Sequence, residues 1–299
     1  MNPNVTHGEV LAEDENQEKF SKTKSSTDKV KFTPFPPDER PNPHADEETK
    51  PFEYKSTILY KTFKGHEMAI SGLALHPRKP ILATVSDDLS WKLWTIPQGE
   101  LIMSGEGHKE WISSVKFHPR GLHILTSSGD CTVKIWDFTN TACTHTFKDH
   151  TQSVWDIDVH DTGDFFASGG MDHLGKVFDI NAGKCRHSLR GHVDSVNSIR
   201  FQPYSNIIAT ASADKTVSLW DMKSSLCIQT FYGHNNSVNS LAFNLAGDKI
   251  ISGDSDGIVK VWDVRMVKEK ETIDFSEFSA NSVSFDASGT VIGAALENG

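Results

Sequence analysis

The sequence has no long apolar run, no long basic run and no close pair of cysteines, and each gap removes a class of protein. No stretch approaches the roughly 20 apolar residues that a membrane helix needs, and the opening MNPNVTHGEVLAEDENQ has no apolar signal core. The expectation is a soluble, intracellular chain with no membrane partner. A nucleic-acid binder needs a basic stripe to displace counterions, and the net charge here is −10. Of the 4 cysteines, Cys143, Cys185 and Cys227 are 42 residues apart and Cys131 stands alone. None makes the C-x-x-C spacing of a zinc site, so isolated, reduced thiols are expected.

Apolar periodicity is nearly absent from the first 55 residues. They carry 7 of the 12 prolines with 12 acidic and 8 basic side chains. A segment of that kind buries too little apolar surface to offset the entropy of ordering it, so residues 1–55 read as a disordered polar tail. Residues 56–299 read as one globular body.

What that body does contain is a repeat. Gly65-His66, Gly107-His108, Asp149-His150, Gly191-His192 and Gly233-His234 recur every 42 residues. Trp94-Thr95, Trp136-Asp137, Phe178-Asp179, Trp220-Asp221 and Trp262-Asp263 form a second series at the same step. Two series in fixed phase mark a repeat architecture. Within a unit, SVNSIRFQP (195–203) alternates apolar and polar residues. It is followed by the more apolar IIATASAD, then TVSLWD and LCIQTFYGH. That predicts four short strands per unit and no helix. Repeats fall at approximately 60–101, 102–143, 144–185, 186–227 and 228–269, with a degenerate partial unit over 270–299.

Two further positions keep the phase. Six residues before each Trp or Phe stands Asp88, Asp130, Asp172, Asp214 or Asp256, and ten before it Thr84, Thr126, Ser168, Thr210 or Ser252. The Gly-His and Trp-Asp series resemble the WD-repeat family, which implies an all-β propeller of four-stranded blades. The resemblance also implies a polar network in each blade. In it the indole N–H of Trp94, Trp136, Trp220 or Trp262 donates to the hydroxyl, the hydroxyl to His66, His108, His192 or His234, and the histidine to the aspartate. His150 and Phe178 hold these places in blade three, where Phe178 has no N–H to give. Five blades are clear and the sixth is partial, with Ser276, Ala294 and Asn298 at the network positions. Residues 56–63 fit the outer strand of a blade, and a seventh blade would need about 50 further residues at this repeat length.

Histidine, serine and aspartate together raise the question of a catalytic triad. A catalytic site is normally singular, and five copies of one set are better explained as structure. There is no phosphate loop, H-E-x-x-H or nucleophile elbow, and GGMDHLG matches no nucleotide fingerprint. The reading is not an enzyme, with no cofactor, metal or small-molecule substrate. Trp91 stands where other units have Val133, Val217 and Val259, as extra core. Trp111 and Trp155 fit neither series and lie where the chain passes into an innermost strand. The family resemblance puts that region at the rim of the central channel, its usual docking face, with Asp87, Asn197 and Asn239 at comparable positions in their own repeats; the alternative for either indole is core packing between blades. The segments SDDLSWKLW, GEGHKEWISSVKFHPRG and GHVDSVNSIRFQPYSNIIATASADKTVSLWD are similar to WD-repeat proteins of the ciliary central apparatus. That implies an axonemal scaffold with protein partners, located in the cytoskeleton of a cilium or flagellum. A substrate-receptor or signalling adaptor is the alternative, and the tail shows no F-box-like helix in its favour.

Overall fold

A computed structural model describes residues 30–38, 40–44, 59–275 and 278–298. Most of the expected polar tail lies outside them. Among the described residues there are five four-stranded antiparallel sheets and one two-stranded sheet. Blade four shows why the sequence folds this way. Its strands are Val196–Phe201, Ile207–Ser212, Thr216–Asp221 and Cys227–Tyr232. The second strand is buried from Ile208 to Ser212 because neighbouring blades cover both of its faces. The fourth is half exposed, at Cys227, Ile228 and Tyr232, and only Phe231 is buried. The sequence repeats cut across these sheets: Leu101–Glu106, the outermost strand of blade one, begins on the last residue of the first repeat unit and runs into the second.

The innermost strands are Ile70–Leu75, Ile112–Phe117, Val154–Val159, Val196–Phe201, Val238–Phe243 and Ala280–Phe285. Each packs against the next. The core lies between blades, where Val85, Trp91 and Leu93 of blade one meet Ile112, Val115 and Trp136 of blade two. Trp91 is fully buried, its ring 5.6 Å from that of Trp136, and its Nε1 has no hydrogen-bond partner. Blade one leaves the corresponding face of its own innermost strand uncovered among the described residues. Leu73 is 68% exposed there, against 1% for its counterpart Val115.

Two expectations for the N-terminal region need correction. Residues 59–63 form no strand. An outer strand needs a third strand to pair with, and Ile292–Leu296, the last strand described, pairs only with Ala280–Phe285. Phe63 packs on Trp94 instead, with 5.9 Å between ring centroids. Residues 32–38 and 40–44 also form no strand, yet they lie as a strap across blades three, four and five. Phe35 stacks on Phe165 at 5.2 Å, and the Arg186 guanidinium sits 3.7 Å from the Phe35 centroid. Thr33 donates from its N–H and hydroxyl to the buried carboxylate of Asp179, at 2.6 and 2.9 Å. Arg40 reaches both oxygens of Asp161, at 2.6 and 2.8 Å. The Asn206 amide donates to the carbonyls of Pro36 and Pro37, and the Asn42 amide to the carbonyl of Leu245. Composition missed the strap because a few aromatic and charged contacts, rather than an apolar run, hold it down.

Candidate functional site

Antiparallel strands alternate in direction, so each blade's turns sort to two ends. The strap lies at the end carrying the first-to-second-strand turns. At the other end stand the turns between second and third strands and the crossings to the next innermost strand, and there the repeated polar residues meet. In blade four His192 Nδ1 is 2.7 Å from Asp214, its Nε2 2.7 Å from the Thr210 hydroxyl, and Trp220 Nε1 donates to that hydroxyl at 2.7 Å. Blade one joins His66 to Asp88 and Thr84, each at 2.8 Å, with Trp94 donating to Thr84 at 2.8 Å. Blade two joins His108 to Asp130 and Thr126 at 3.0 and 2.7 Å, with Trp136 donating at 2.8 Å. A carboxylate can only accept, so Nδ1 carries the proton shared with the aspartate, while Nε2 and the indole N–H meet on the hydroxyl.

These carboxylates also hold the turns. Burial pushes the Asp214 carboxyl up, but hydrogen bonds from His192, Thr216 and the Val193 N–H outweigh it and hold the group well below the usual carboxylate range. For Asp88 and Asp130 burial is likewise outweighed: Ser90 and His66 lower the one, His108 and Thr132 the other. Each aspartate therefore stays ionised beside its histidine.

Blades three and five depart from this pattern, each for a physical reason. In blade three Ser168 still bonds His150, at 2.6 Å, and His150 Nδ1 lies 3.0 Å from both Asp172 oxygens. Burial raises the Asp172 carboxyl, but the bond from His150 holds it down. Phe178 stacks on Phe166 at 4.6 Å instead of bonding the serine. The same change explains why Asp149 can replace glycine. A Cβ at Gly65 would lie 2.5 Å from the Trp94 ring and one at Gly191 2.9 Å from the Trp220 ring, whereas the shorter Phe178 makes no such demand. In blade five the carboxylate that meets His234 is Asp254, at 2.8 Å, and not the expected Asp256. The other blades have Ser86, Ser128, Gly170 or Ser212 at the position of Asp254. Because Asp254 is long enough to reach the histidine, it accepts from His234 on one oxygen and from the Asp256 and Ile258 N–H groups on the other. Asp256 is left on the surface, accepting from Asn236 at 2.8 Å. Ser252 and Trp262 keep their places, with His234 and Trp262 bonding the hydroxyl at 2.6 and 2.8 Å.

Inside this ring of networks the innermost strands open on a cavity of about 660 Å³, lined by Trp111, Trp155, Asp87, Asn197, Asn239, Ser71 and Ser113. Trp111 and Trp155, from adjacent blades, bring their ring centroids to 4.9 Å. Trp155 is 38% exposed, and Trp111 is half-buried over Gly129, where a Cβ would stand 2.6 Å from its ring. Ser71, Ser113, Trp155, Asn197 and Asn239 share one repeat position, and in every blade the register shifts there. A bulge re-aims its extra side chain, so the backbone points this position into the channel. Ser113 uses it to donate to the Val154 carbonyl at 2.6 Å and Asn197 to the Val238 carbonyl at 3.0 Å, each tying one blade to the next. Asn239 reaches Ser279 at 3.0 Å in the same way. Trp155 makes no such bond among the described residues, and an exposed indole takes the place of a stitch between blades.

Sequence reasoning missed Ser71 and Ser113, although their spacing from Trp155 would have found them. It also missed a charged layer deeper in the channel. There Asp156 accepts from Ser114 at 2.9 Å, from Ser198 at 2.8 Å and from Arg200, while Lys116 lies 3.7 Å from Asp158. Burial pushes the Lys116 amine down, and the neighbouring Arg200 adds to it.

Comparison with known proteins agrees with this architecture. The family profile "WD domain, G-beta repeat" matches residues 58–95, 99–137, 141–179, 183–221 and 225–263. Flagellar WD repeat-containing protein Pf20 of Chlamydomonas reinhardtii is 55% identical over 67 residues, 22% of this chain and 11% of that protein. Sperm-associated antigen 16 protein of Mus musculus is 41% identical over 80 residues, 25% of this chain and 12% of that protein. The aligned segments thus span only a small part of either relative.

Proposed function

The chain belongs to the WD-repeat family, and from that premise we propose that it is a non-enzymatic docking scaffold of motile cilia and flagella, held within the central apparatus of the axoneme. The observation that carries the docking reading is the convergence of Trp111 and Trp155 with Asp87, Asn197 and Asn239 on one open cavity. Exposed aromatic side chains at the centre of a contact surface tend to dominate affinity. Histidine–carboxylate pairs recur in five blades, and in each they brace a turn rather than face a shared pocket, which supports a binding role over a catalytic one. The flagellar setting is supported by the printed names of the two relatives and by segments such as SDDLSWKLW. Expression of the tagged protein in a ciliated cell tests it. The expected result is signal along motile axonemes that persists after detergent and is released with central-pair components by salt. Diffuse cytoplasmic signal, or co-purification with ubiquitin-ligase subunits, would refute the axonemal assignment.

A further inference from the structure

The groups lining the channel mouth limit what it can bind. Ser113 already bonds the Val154 carbonyl and Ser127, and Ser71 bonds the Ile112 carbonyl. Asn197 donates to Ser237 and Val238 and accepts from Ser195, while Asn239 donates to Ser255 and Ser279. What remains for a ligand is two indole faces and one carboxylate, Asp87, whose oxygens accept no hydrogen bond among the described residues. The indoles are in contact with each other, so they offer a common face rather than a slot between them.

The turns around this mouth have the matching sign. Between each histidine and the next innermost strand, and in the turns between second and third strands, Glu67, Asp87, Glu110, Asp194 and Asp256 are carboxylates that no histidine of the networks holds. The cationic or basic side chains in the same turns are Lys109, Lys215 and His173, the last with its Nδ1 3.9 Å from Asp194. The network aspartates are ionised as well, with the Lys92 amine 3.8 Å from Asp88. Lys64, Lys148 and Arg190 stand further out, each two residues before the histidine of its blade. Deeper in the channel Arg200 and Lys116 are matched by Asp156 and Asp158, so that layer does not reverse the sign at the mouth.

Resting on the docking reading above, we infer that the mouth receives a basic segment of a protein partner, with an arginine side chain laid on the Trp111–Trp155 face and its charge toward Asp87. A planar guanidinium stacks on an indole and reaches a carboxylate with its edge at the same time, which a lysine ammonium does less well. An acidic rim disfavours nucleic acid and draws a cationic chain.

The test uses the purified protein and blocked, labelled Gly-Ser peptides that differ at one central residue: arginine, citrulline, lysine or glutamate. Fluorescence polarisation should show the arginine peptide binding best, losing about tenfold with citrulline, which keeps the shape and removes the charge. Binding should weaken with added salt, and Asp87→Asn and Trp155→Ala should each reduce it while their thermal melts stay unchanged. Trp111→Phe, which keeps an aromatic face over Gly129, should bind at an intermediate level. Equal binding of the citrulline or glutamate peptide, or none by any peptide, would overturn the inference. The docking reading fails separately, if Trp155→Ala leaves axonemal incorporation unchanged whatever the peptides do.

Discussion

The two ends of the blades are built on different plans. At the end that carries the His–Asp pairs, each blade solves its own problem with residues of its own repeat, and the solution is copied from blade to blade. At the other end the strap of residues 32–38 and 40–44 ties three blades together with contacts that occur once each. A repeated lock is modular, so damage should stay local. A single strap is shared, so damage should spread. That difference can be tested by substitution at each end.

The largest effect is expected in blade five, where one carboxylate does two jobs. Asp254→Ala leaves the buried His234 ring and two backbone N–H groups without an acceptor, and should cost about 3 kcal/mol. Asp214→Ala, which strands His192 in the blade with the most complete network, should cost about 2 kcal/mol. Asp256→Ala should stay within about 0.5 kcal/mol, as surface changes do. Chemical denaturation of the three variants measures this order. An Asp256 variant as unstable as the Asp254 one would show that blade five is wired like the others. Hydrogen exchange should show the Asp214 lesion confined to blade four.

Phe35→Ala comes next. It removes a half-buried ring from between Phe165 and Arg186 and should cost about 2 kcal/mol, less than the full penalty for a core phenylalanine. Exchange should rise together around Thr33, Asn206 and Asn42, in three blades at once. Protection lost only at Phe165 would mean that the strap contacts are independent of one another.

Acid should separate the two ends by pH. Burial pushes His234 down at one end and His118 and His160 down at the other, so the unfolded chain takes up protons that the folded chain refuses. This contribution is fully present above about pH 6.5 and is lost as the pH falls below it. The depressed aspartates Asp88, Asp130 and Asp214 act later. Their contribution is full above the unfolded carboxylate value, about pH 4, and disappears only in stronger acid. The melting temperature should therefore fall in two stages between neutral and strongly acidic pH, the first a few degrees in size. A flat profile from pH 7.5 to 5 would contradict the first stage.

The same contrast explains how much could be read from the chain. The blades, their four strands and the His–Thr–Trp positions were legible because a 42-residue step repeats them. The swap of Asp256 for Asp254 was not, since periodicity reports the usual position and cannot see that one longer side chain has moved the acceptor. The strap was invisible because Phe35, Arg186 and Asp179 are far apart in sequence and never recur as a set. At the channel mouth Trp111 and Trp155 stood out by breaking the repeat. Ser71 and Ser113 were passed over because they are ordinary residues, and only the strand bulge turns them toward the channel.

The claim that matters most is that the channel mouth docks a partner, and Trp155 tests it directly. Its indole replaces a hydrogen-bonded stitch and is 38% exposed, so the fold should not depend on it. Tagged wild type and Trp155→Ala should be compared for melting temperature and for incorporation into motile axonemes of the same cells. The account predicts melts within a degree or two of each other, as for a change of under about 0.5 kcal/mol, with incorporation lost or strongly reduced. An unfolded variant, or a folded one that incorporates at the wild-type level, would contradict it.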